Sequence, residues 1–232
     1  MSPDTGTNFD QFAESYEQAL ERGISVSGEG RDYFSEGRVT FLSECLRKIP
    51  FAPAKVMDFG CGTGTTAPFL LASLHPQSIL GLDVSEESIS VARRQSLASA
   101  TFETFADYTP TADIDLIYSN GVFHHIQPEK RPAALDVAWR ALRPGGMFAL
   151  WENNPWNPGT RYVMSRIPFD RDAVTLSAPE TCRMLRASSF EVRRVDFLFI
   201  FPRMAKWLRP LERRLSSLPL GAQYQVLACK AC

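Results

Sequence analysis

A run of three glycines preceded by an acid is the feature of this sequence with the clearest chemical meaning. Asp58 lies within an apolar segment that begins at Val56, and a helix-forming stretch follows the glycines Gly60, Gly62 and Gly64. Glycine tolerates positive φ and lets a ligand lie against the backbone, while a helix N-terminus offers free N–H groups. The pattern predicts a nucleotide-like ligand at a strand–loop–helix turn.

The spacing of the glycines and the charge of Asp58 indicate what kind of ligand this is. The dinucleotide fingerprint GxGxxG would place its third glycine at position 65, which is a threonine here. Asp58 is also expected to face the place where a dinucleotide pyrophosphate would lie, and it would repel that anion. A carboxylate can instead hold an ammonium group, so we expect a ligand with a positively charged amine. A nicotinamide-dependent oxidoreductase is the less favoured alternative.

Two further acids follow predicted strands. Asp83 ends the next apolar strand, 19 positions after Gly64, where an acid can accept hydrogen bonds from both ribose hydroxyls. A purely structural role, as a cap for the helix that begins near Ser85, is the alternative for Asp83. Asp107 and its neighbour Ala106 follow the third predicted strand, where an adenine amino group would need an acceptor.

Two adjacent histidines, His124 and His125, follow the fourth predicted strand and Asn120. Histidines in such a loop have an intrinsic pKa suited to general acid–base catalysis. Holding the loop in place is the alternative role for each of them. Because neighbouring residues of an irregular loop rarely face the same way, we expect at most one to act on an acceptor. We favour His124, which comes sooner after the strand.

Helices and strands are predicted to alternate along the chain. The predicted helices before position 151 cover 39–49, 64–74, 85–99 and a segment that ends at Arg143-Pro144-Gly145-Gly146, and the predicted strands cover 56–60, 78–84, 101–105, 114–119 and 147–151. Beyond a loop and a poorly patterned stretch to about 177, we predict a helix over 179–188, a strand over 190–201, a basic amphipathic helix over 203–215 and a strand over 222–229. Alternation of this kind predicts an α/β fold with right-handed crossovers, in which ligands bind at the carboxyl ends of the strands.

The ordered motifs resemble those of a known family. The runs DFGCGTG, GLDVS, FADY, DLIYSNGVFHHI and LRPGG, together with FDQFAESY at 9–16, are similar to the class I S-adenosylmethionine-dependent methyltransferases. The branch that they resemble acts on small molecules and includes the ubiquinone and menaquinone biosynthesis methyltransferases. The resemblance covers roughly residues 9–151. It implies a doubly wound, mostly parallel seven-stranded sheet of the Rossmann-like methyltransferase type with helices on both faces, S-adenosylmethionine as cofactor, and a small-molecule methyl acceptor.

The resemblance also implies roles for individual residues. Gly60 and Gly62 would line the methionine portion of the cofactor, and Asp83 would hold its ribose. Val84 would pack on the adenine, Asp107 would meet the adenine amino group, and the Asn120 region would approach the methionine end. The predicted cofactor-binding residues are Tyr16, Tyr33, Arg38, Asp58, Gly60, Gly62, Gly64, Asp83, Val84, Ala106, Asp107 and Asn120, and the predicted catalytic residues are His124 and His125.

The bulk properties favour some kinds of partner and exclude others. With 232 residues and a formal net charge of −1, the chain has no basic footprint for nucleic acid. The longest apolar run, at 197–201, is too short to span a bilayer, and no secretory signal is visible, so we expect a cytoplasmic protein. The cysteine pair Cys229 and Cys232 is expected to be ordinary reduced thiols, and no metal site is predicted.

We expect one domain over residues 1–232. Residues 1–40 would form an N-terminal lid, 50–151 the cofactor-binding core, and 152–232 a substrate-side insertion with the C-terminal strands. The basic stretch 203–215 is expected to pack on its own domain, with contact to an anionic membrane surface as the less favoured alternative. A protein that binds the cofactor or a partner without catalysis remains the alternative to an enzyme.

Overall fold

The structure is a computed structural model that describes residues 27–167 and 173–231. Tyr16, most of the predicted lid and Cys232 lie outside the described residues. The helices are α1 (Arg31–Leu46), α2 (Ala67–Leu74), α3 (Glu86–Arg94), α4 (Arg131–Ala141), α5 (Pro158–Met164), α6 (Ala178–Ala187) and α7 (Glu212–Leu215), with 3₁₀ helices at Pro128–Lys130 and Arg203–Leu211. The strands are β1 (Lys55–Phe59), β2 (Ser78–Asp83), β3 (Ala100–Thr104), β4 (Ile114–Asn120), β5 (Leu142–Asn153), β6 (Phe190–Leu198) and β7 (Gln223–Lys230).

The strands form a seven-stranded sheet in the order β3-β2-β1-β4-β5-β7-β6. The first five strands of the chain pair in parallel, and β7 is antiparallel to both β5 and β6. The chain moves outward from β1 to β3 and then returns to place β4 on the other side of β1. Ligands of open α/β sheets bind where the strand order reverses in this way. The predicted doubly wound, mostly parallel sheet is confirmed.

Both faces of the sheet are covered, so the central strands are buried on both sides. One hydrophobic cluster joins one face of the sheet to α1, α2 and α3, through residues such as Leu42, Leu70 and Ile89. A second cluster joins the opposite face to α4 and α6, through Leu135 and Leu185. Parallel strands enclosed in this way read as continuous apolar runs, which is why β1 and β4 could be recognised in the sequence.

Several element boundaries differ from the prediction for local reasons. Helix α3 ends at Arg94 rather than near 99, because Ser96 adopts a φ of 50°, which an α-helix does not allow. Strand β5 begins at Leu142, so the Arg-Pro-Gly-Gly segment lies within the strand, and a register shift against β4 absorbs its extra residues. Strand β6 ends at Leu198 rather than 201, because Phe199 has a φ of 62°. None of these differences changes the strand order.

The predicted amphipathic α-helix over 203–215 is wrong, and Pro210 is not the one point at which it breaks. The structure has a 3₁₀ helix at Arg203–Leu211, interrupted at Ala205, followed by the short helix α7. Ala205 has non-helical angles (φ −112°, ψ 24°), and Pro210 has no backbone N–H to donate to a continuing α-helix. The tighter three-residue turn also changes which side chains share a face.

The stretch after β5 contains a helix that the sequence did not predict. Asn157 caps α5, since its side-chain oxygen accepts a hydrogen bond from the Thr160 backbone N–H at 3.0 Å, and Pro158 occupies the first turn. The side chain of the buried Asn154 holds this region to the chain before β7. Its Nδ2 donates to the carbonyl oxygens of Pro219 (3.1 Å) and Gly221 (2.8 Å).

Replacing Asn154 should loosen this connection. We expect Asn154→Ala to lower the free energy of unfolding by about 2–4 kcal/mol, because two carbonyls lose their donor and a small cavity is left. Chemical denaturation measures the change. The exposed Gln127→Ala variant serves as a control and should stay within about 0.5 kcal/mol of the wild type. Equal stability of the two variants would contradict the role given to Asn154.

Candidate active site

The carboxyl ends of β1, β4 and β5 open into a cavity of about 490 Å³. Residues from α1, the glycine run, the β4–α4 loop, α5 and the segment after β6 line it. The predicted site residues that the structure brings together in this lining are Tyr33, Arg38, Asp58, Gly60, Gly62, Asn120, His124 and His125. They come from positions as far apart as 33 and 125, and the reversal of strand order brings them to one place.

The other described residues of the predicted cofactor set lie outside this lining: Gly64, Asp83, Val84, Ala106 and Asp107. The two oxygens of Asp83 accept hydrogen bonds from the backbone N–H groups of Gly62 (2.8 Å) and Ser85 (3.0 Å). Asp83 therefore supports the glycine loop and the start of α3, which is close to the alternative weighed above. Asp107 is exposed and accepts a hydrogen bond from the Thr104 hydroxyl at 2.7 Å. Their predicted roles toward ribose and adenine stay predictions.

The three glycines occupy positive φ for different reasons. A Cβ added at Gly60 (φ 77°) would lie 2.3 Å from a methyl carbon of Val122, and one at Gly64 (φ 79°) would lie 3.0 Å from Ala92 and Phe102. A Cβ at Gly62 (φ 54°) would meet no atom within 4 Å. Packing therefore requires the first and third glycines, whereas Gly62 leaves open space on the cavity wall. Within the described chain, Gly62 is the glycine of the run best suited to a ligand lying against the backbone.

Asp58 is a buried carboxylate whose Oδ2 has no hydrogen-bond partner. Burial raises the pKa of Asp58 to about 7, the negative charge of Asp83 adds to this effect, and the positive charge of Arg38 opposes it. The side-chain oxygen of Asn120, also buried, likewise has no partner. Both residues line the cavity and both offer acceptors, so the site fits a ligand group that brings N–H donors and a positive charge.

Arg38 extends from α1 and is buried beside these acceptors. Its Nε donates to the Tyr118 hydroxyl at 3.0 Å, its Nη1 to the Gln223 side-chain oxygen at 2.9 Å, and its Nη2 to the Ser35 hydroxyl at 3.1 Å. These three partners are uncharged. The guanidinium therefore presents a positive charge at the cavity wall that can attract the anionic end of a ligand. Tyr118 and Gln223 were not among the predicted site residues.

His124 forms a buried pair with Glu152, the acid that follows Trp151 on β5. His124 Nδ1 lies 2.5 Å from Oε2 of Glu152, and Oε1 of Glu152 accepts the backbone N–H of Phe123 at 2.8 Å. Burial acts to raise the pKa of Glu152, but the charge and the hydrogen bond of His124 outweigh it and lower that pKa. When the His124 ring is neutral, an ionised Glu152 holds its one proton on Nδ1, and the lone pair is then on Nε2.

Sequence reasoning missed Glu152 because the predicted strand ended at Trp151. A signal was present, since an acid directly after an apolar strand is the feature that pointed to Asp83. The His125 ring lies beside that of His124, with centroids 4.0 Å apart. Both histidines line the cavity, and His124 forms the ion pair with Glu152 described above.

The rest of the cavity wall is largely apolar. Helix α5 and the chain after it contribute Val163, Met164 and Ile167, and the segment after β6 contributes Phe199, Ile200 and Phe201. This second segment is tied to the start of α1. Phe199 packs edge-on against Phe34 (ring centroids 4.9 Å apart), Arg209 lies over the Tyr33 ring at 4.5 Å, and Arg209 pairs with Glu29 at 2.8 Å.

Comparison with known proteins assigns this architecture to a class. Residues 57–148 match the family described as "Methyltransferase domain". The trans-aconitate 2-methyltransferase of Methylobacterium nodulans is 30% identical over 164 residues, covering 68% of this chain and 61% of the relative. The malonyl-[acyl-carrier protein] O-methyltransferase of Pectobacterium atrosepticum is 30% identical over 142 residues, covering 60% and 54%. The chain thus spans somewhat more than half the length of these relatives.

A solved structure shares the fold at low identity. It is phosphoethanolamine N-methyltransferase 2 of Haemonchus contortus in complex with S-adenosyl-L-methionine, with 15% identity and a TM-score of 0.65, and the match covers 100% of this chain and 61% of that one. The chain contains a domain of the class I S-adenosylmethionine-dependent methyltransferases, as the motifs predicted. This family uses S-adenosylmethionine as its cofactor. The unpartnered oxygens of Asp58 and Asn120 fit its ammonium group.

The raised pKa of Asp58 leads to a prediction in which affinity and stability change in opposite directions. Ionised Asp58 destabilises the native state, because its pKa of about 7 in the folded protein exceeds the value of 3.8 for an unperturbed aspartate. The penalty is absent below about pH 4 and fully present above about pH 7. We expect Asp58→Asn to raise the free energy of unfolding at pH 8 by about 2–4 kcal/mol, with little change at pH 4.

The same variant should weaken S-adenosylmethionine binding at least tenfold, while the affinity of the wild type should rise from pH 6 to pH 8 as Asp58 ionises. Calorimetric binding and thermal unfolding across this pH range measure both effects. The exposed carboxylate of Glu129 supplies the control variant Glu129→Gln, which should change neither. Unchanged affinity in Asp58→Asn would refute the role of Asp58.

The glycine loop gives a second prediction. Gly62→Ala places a methyl group where no protein atom lies within 4 Å, so we expect a stability loss of only about 1–2 kcal/mol from the positive φ. Affinity for S-adenosylmethionine should fall at least tenfold, because the methyl group enters the ligand's space. Gly60→Ala is the matched comparison and should mainly destabilise the fold, since its Cβ would collide with Val122. Normal binding by Gly62→Ala would show that the ligand lies elsewhere.

Proposed function

We propose that this protein transfers the methyl group of S-adenosylmethionine to a small-molecule acceptor. The bound cofactor supplies a methyl group activated by a sulfonium. Asp58, Asn120, Gly60 and Gly62 are proposed to hold its methionine end, and Arg38 to attract its carboxylate. By resemblance, we assign the adenosine end of the cofactor to Asp83, Val84, Ala106 and Asp107. Gly64 is proposed to shape the loop. Tyr33 is proposed to close over the ligand, together with Tyr16, which lies outside the described residues.

The observation that carries the choice of acceptor is His124, which lines the same cavity and is paired with the buried Glu152. A hydroxyl acceptor must lose its proton as its oxygen gains the methyl group, and Nε2 of His124 can take that proton. Glu152 holds the Nδ1 proton and stabilises the imidazolium that forms. We therefore propose O-methylation of a hydroxyl group with His124 as general base. His125 is proposed to hold the loop rather than to react.

A carboxylate acceptor is the second candidate. The two relatives above are named for trans-aconitate and for a malonyl group, and both names denote carboxylic acids. Three arginines line the cavity, Arg31, Arg38 and Arg209, which would suit an anionic acceptor. A carboxylate is already deprotonated at neutral pH and needs no base, so positioning alone would serve. The contribution of His124 distinguishes the two candidates.

The wider organisation of the protein is part of the proposal. We propose a single domain in which the segments before β1 and after β5 enclose the acceptor around a cofactor-binding core. The segments before β1 and after β5 contribute Tyr33, Met164 and Phe199 to the cavity lining, and this supports their proposed role in enclosing the acceptor. A cytoplasmic location and the absence of a nucleic-acid partner stay predictions. The non-catalytic alternative is disfavoured by the His124–Glu152 pair, which a binding module would not require.

The test is formation of S-adenosylhomocysteine with hydroxylated acceptors and with trans-aconitate, using wild type, His124→Gln, Glu152→Gln and His125→Gln. For a hydroxyl acceptor, His124→Gln should lower kcat about 10²-fold and flatten the acid limb of the pH–rate profile, with little change in affinity for S-adenosylmethionine. Glu152→Gln should lower kcat by a smaller factor and shift that limb.

His125→Gln is the matched control and should keep most of the activity. Wild-type turnover in His124→Gln on an accepted hydroxyl substrate would overturn base catalysis by this residue. Turnover of trans-aconitate alone, unaffected by His124→Gln, would favour the carboxylate candidate. No product with any acceptor, despite normal S-adenosylmethionine binding, would favour the non-catalytic alternative.

A further inference from the structure

The 3₁₀ helix Arg203–Leu211 turns two large apolar side chains fully outward. Met204 is 88% exposed and Trp207 is 75% exposed, the two highest values among the exposed large hydrophobic residues of the described chain. The sequence had predicted that this stripe packs on its own domain, and for these two residues that prediction is wrong. A regular α-helix would align Met204 with Leu208, but the non-helical angles of Ala205 break that alignment, so Met204 is exposed while Leu208 is half-buried.

The same segment is strongly basic. Residues 202–220 contain the cations Arg203, Lys206, Arg209, Arg213 and Arg214. Their one acid, Glu212, is buried and accepts the backbone N–H of Phe201 at 2.9 Å. It is therefore not a solvent-exposed counter-charge.

Two of these cations are paired with acids from other parts of the chain. Arg209 pairs with Glu29, and Arg213 pairs with Glu44, both at 2.8 Å. The exposed Arg203 and Lys206 lie next to the apolar pair in the chain, and the exposed Arg214 follows in α7, so the segment carries positive charge that these acids do not balance. We call Met204, Trp207, Arg203, Lys206 and Arg214 the basic–apolar face.

This face adjoins the cavity. The residues immediately before the helix, from Phe199 to Pro202, line the cavity, and so does Arg209 within the helix. A surface that contacts the basic–apolar face would therefore lie next to a wall of the proposed acceptor site. This continuity argues that the exposed side chains serve the site rather than being scattered surface residues.

We propose that the basic–apolar face docks on an anionic lipid surface. Exposed tryptophan and methionine can enter the boundary between headgroups and acyl chains, and each nearby Lys or Arg adds attraction to anionic lipids. No helix of the described residues is long and apolar enough to cross a bilayer, so the contact would be peripheral. An acidic protein partner would match the charge, but a helix of nine residues with two protruding side chains offers little area for a specific protein interface.

The experiment measures sedimentation of the full-length protein with phosphatidylcholine vesicles and with vesicles that also contain about one third phosphatidylglycerol. We expect binding to the anionic vesicles that weakens as salt is added, and at least tenfold weaker binding to the neutral ones. The double variant Met204→Ala/Trp207→Ala and the double variant Lys206→Glu/Arg214→Glu should each lose about tenfold or more in partitioning.

The control variants remove an apolar side chain or reverse a positive charge outside the basic–apolar face. Ile49→Ala removes an exposed apolar side chain (41% exposed), and Lys48→Glu reverses an exposed cation just beyond α1. Both should bind vesicles as the wild type does. All variants should keep their melting temperature and their affinity for S-adenosylmethionine, because none of the altered residues lines the cavity.

Three results would overturn the proposal: no binding of the wild type to anionic vesicles at low salt, equal binding to both vesicle types, or equal loss in the control variants. Binding to soluble poly-glutamate that exceeds binding to the vesicles would assign the face to an acidic protein instead. Because vesicle binding needs neither cofactor nor acceptor, its failure is distinct from failure of the proposed methyl transfer.

Discussion

Asp58 lies buried at the end of β1, between Gly81 on β2 and Tyr118 on β4. A carboxylate in that position, with one oxygen lacking a partner, resists ionisation until a cation arrives. Arg38 reaches the neighbouring Tyr118 and only partly offsets the cost. The chain therefore holds at its centre a carboxyl group whose ionisation is unfavourable, and binding of a positively charged ligand removes the penalty. Asp83, which supports the glycine loop through the Gly62 N–H, adds to the cost of ionising Asp58.

A second carboxylate at the same edge of the sheet behaves in the opposite way. Glu152 is as deeply buried as Asp58, yet its pKa is lowered, because His124 and the Phe123 N–H occupy its two oxygens. Environments that push the pKa values of neighbouring acids apart are a usual means of giving them different tasks. Asp58 is suited to binding a cation, and Glu152 is suited to orienting a histidine. The two tasks meet in one cavity because β1, β4 and β5 are adjacent and parallel.

The segments outside the parallel core complete the cavity and carry the basic–apolar face. Asn154 and Asn157 hold the α5 region to the chain before β7, and the ring contacts of Phe199 hold the other wall to α1. Because both walls come from connections rather than from central strands, they can vary while the cofactor site stays the same. This agrees with the comparisons, in which the matched family region ends at residue 148, before these segments begin.

The amino-acid sequence by itself determined the alternation of helices and strands, the seven-stranded sheet, the class of cofactor and eight of the residues that line the cavity. These properties depend on local spacing and on side chains placed just after apolar runs, and both can be read along the chain.

The sequence could not separate the roles of Gly60, Gly62 and Gly64. Their difference lies in Val122, Ala92 and Phe102, which approach from other elements. It also missed the partnership of His124 with Glu152, because pairing of β4 with β5 brings together residues 28 positions apart. The exposure of Met204 and Trp207 followed from the interruption of the helix at Ala205, which the sequence did not predict. Tertiary structure decided these features, since each depends on which distant backbone a side chain meets.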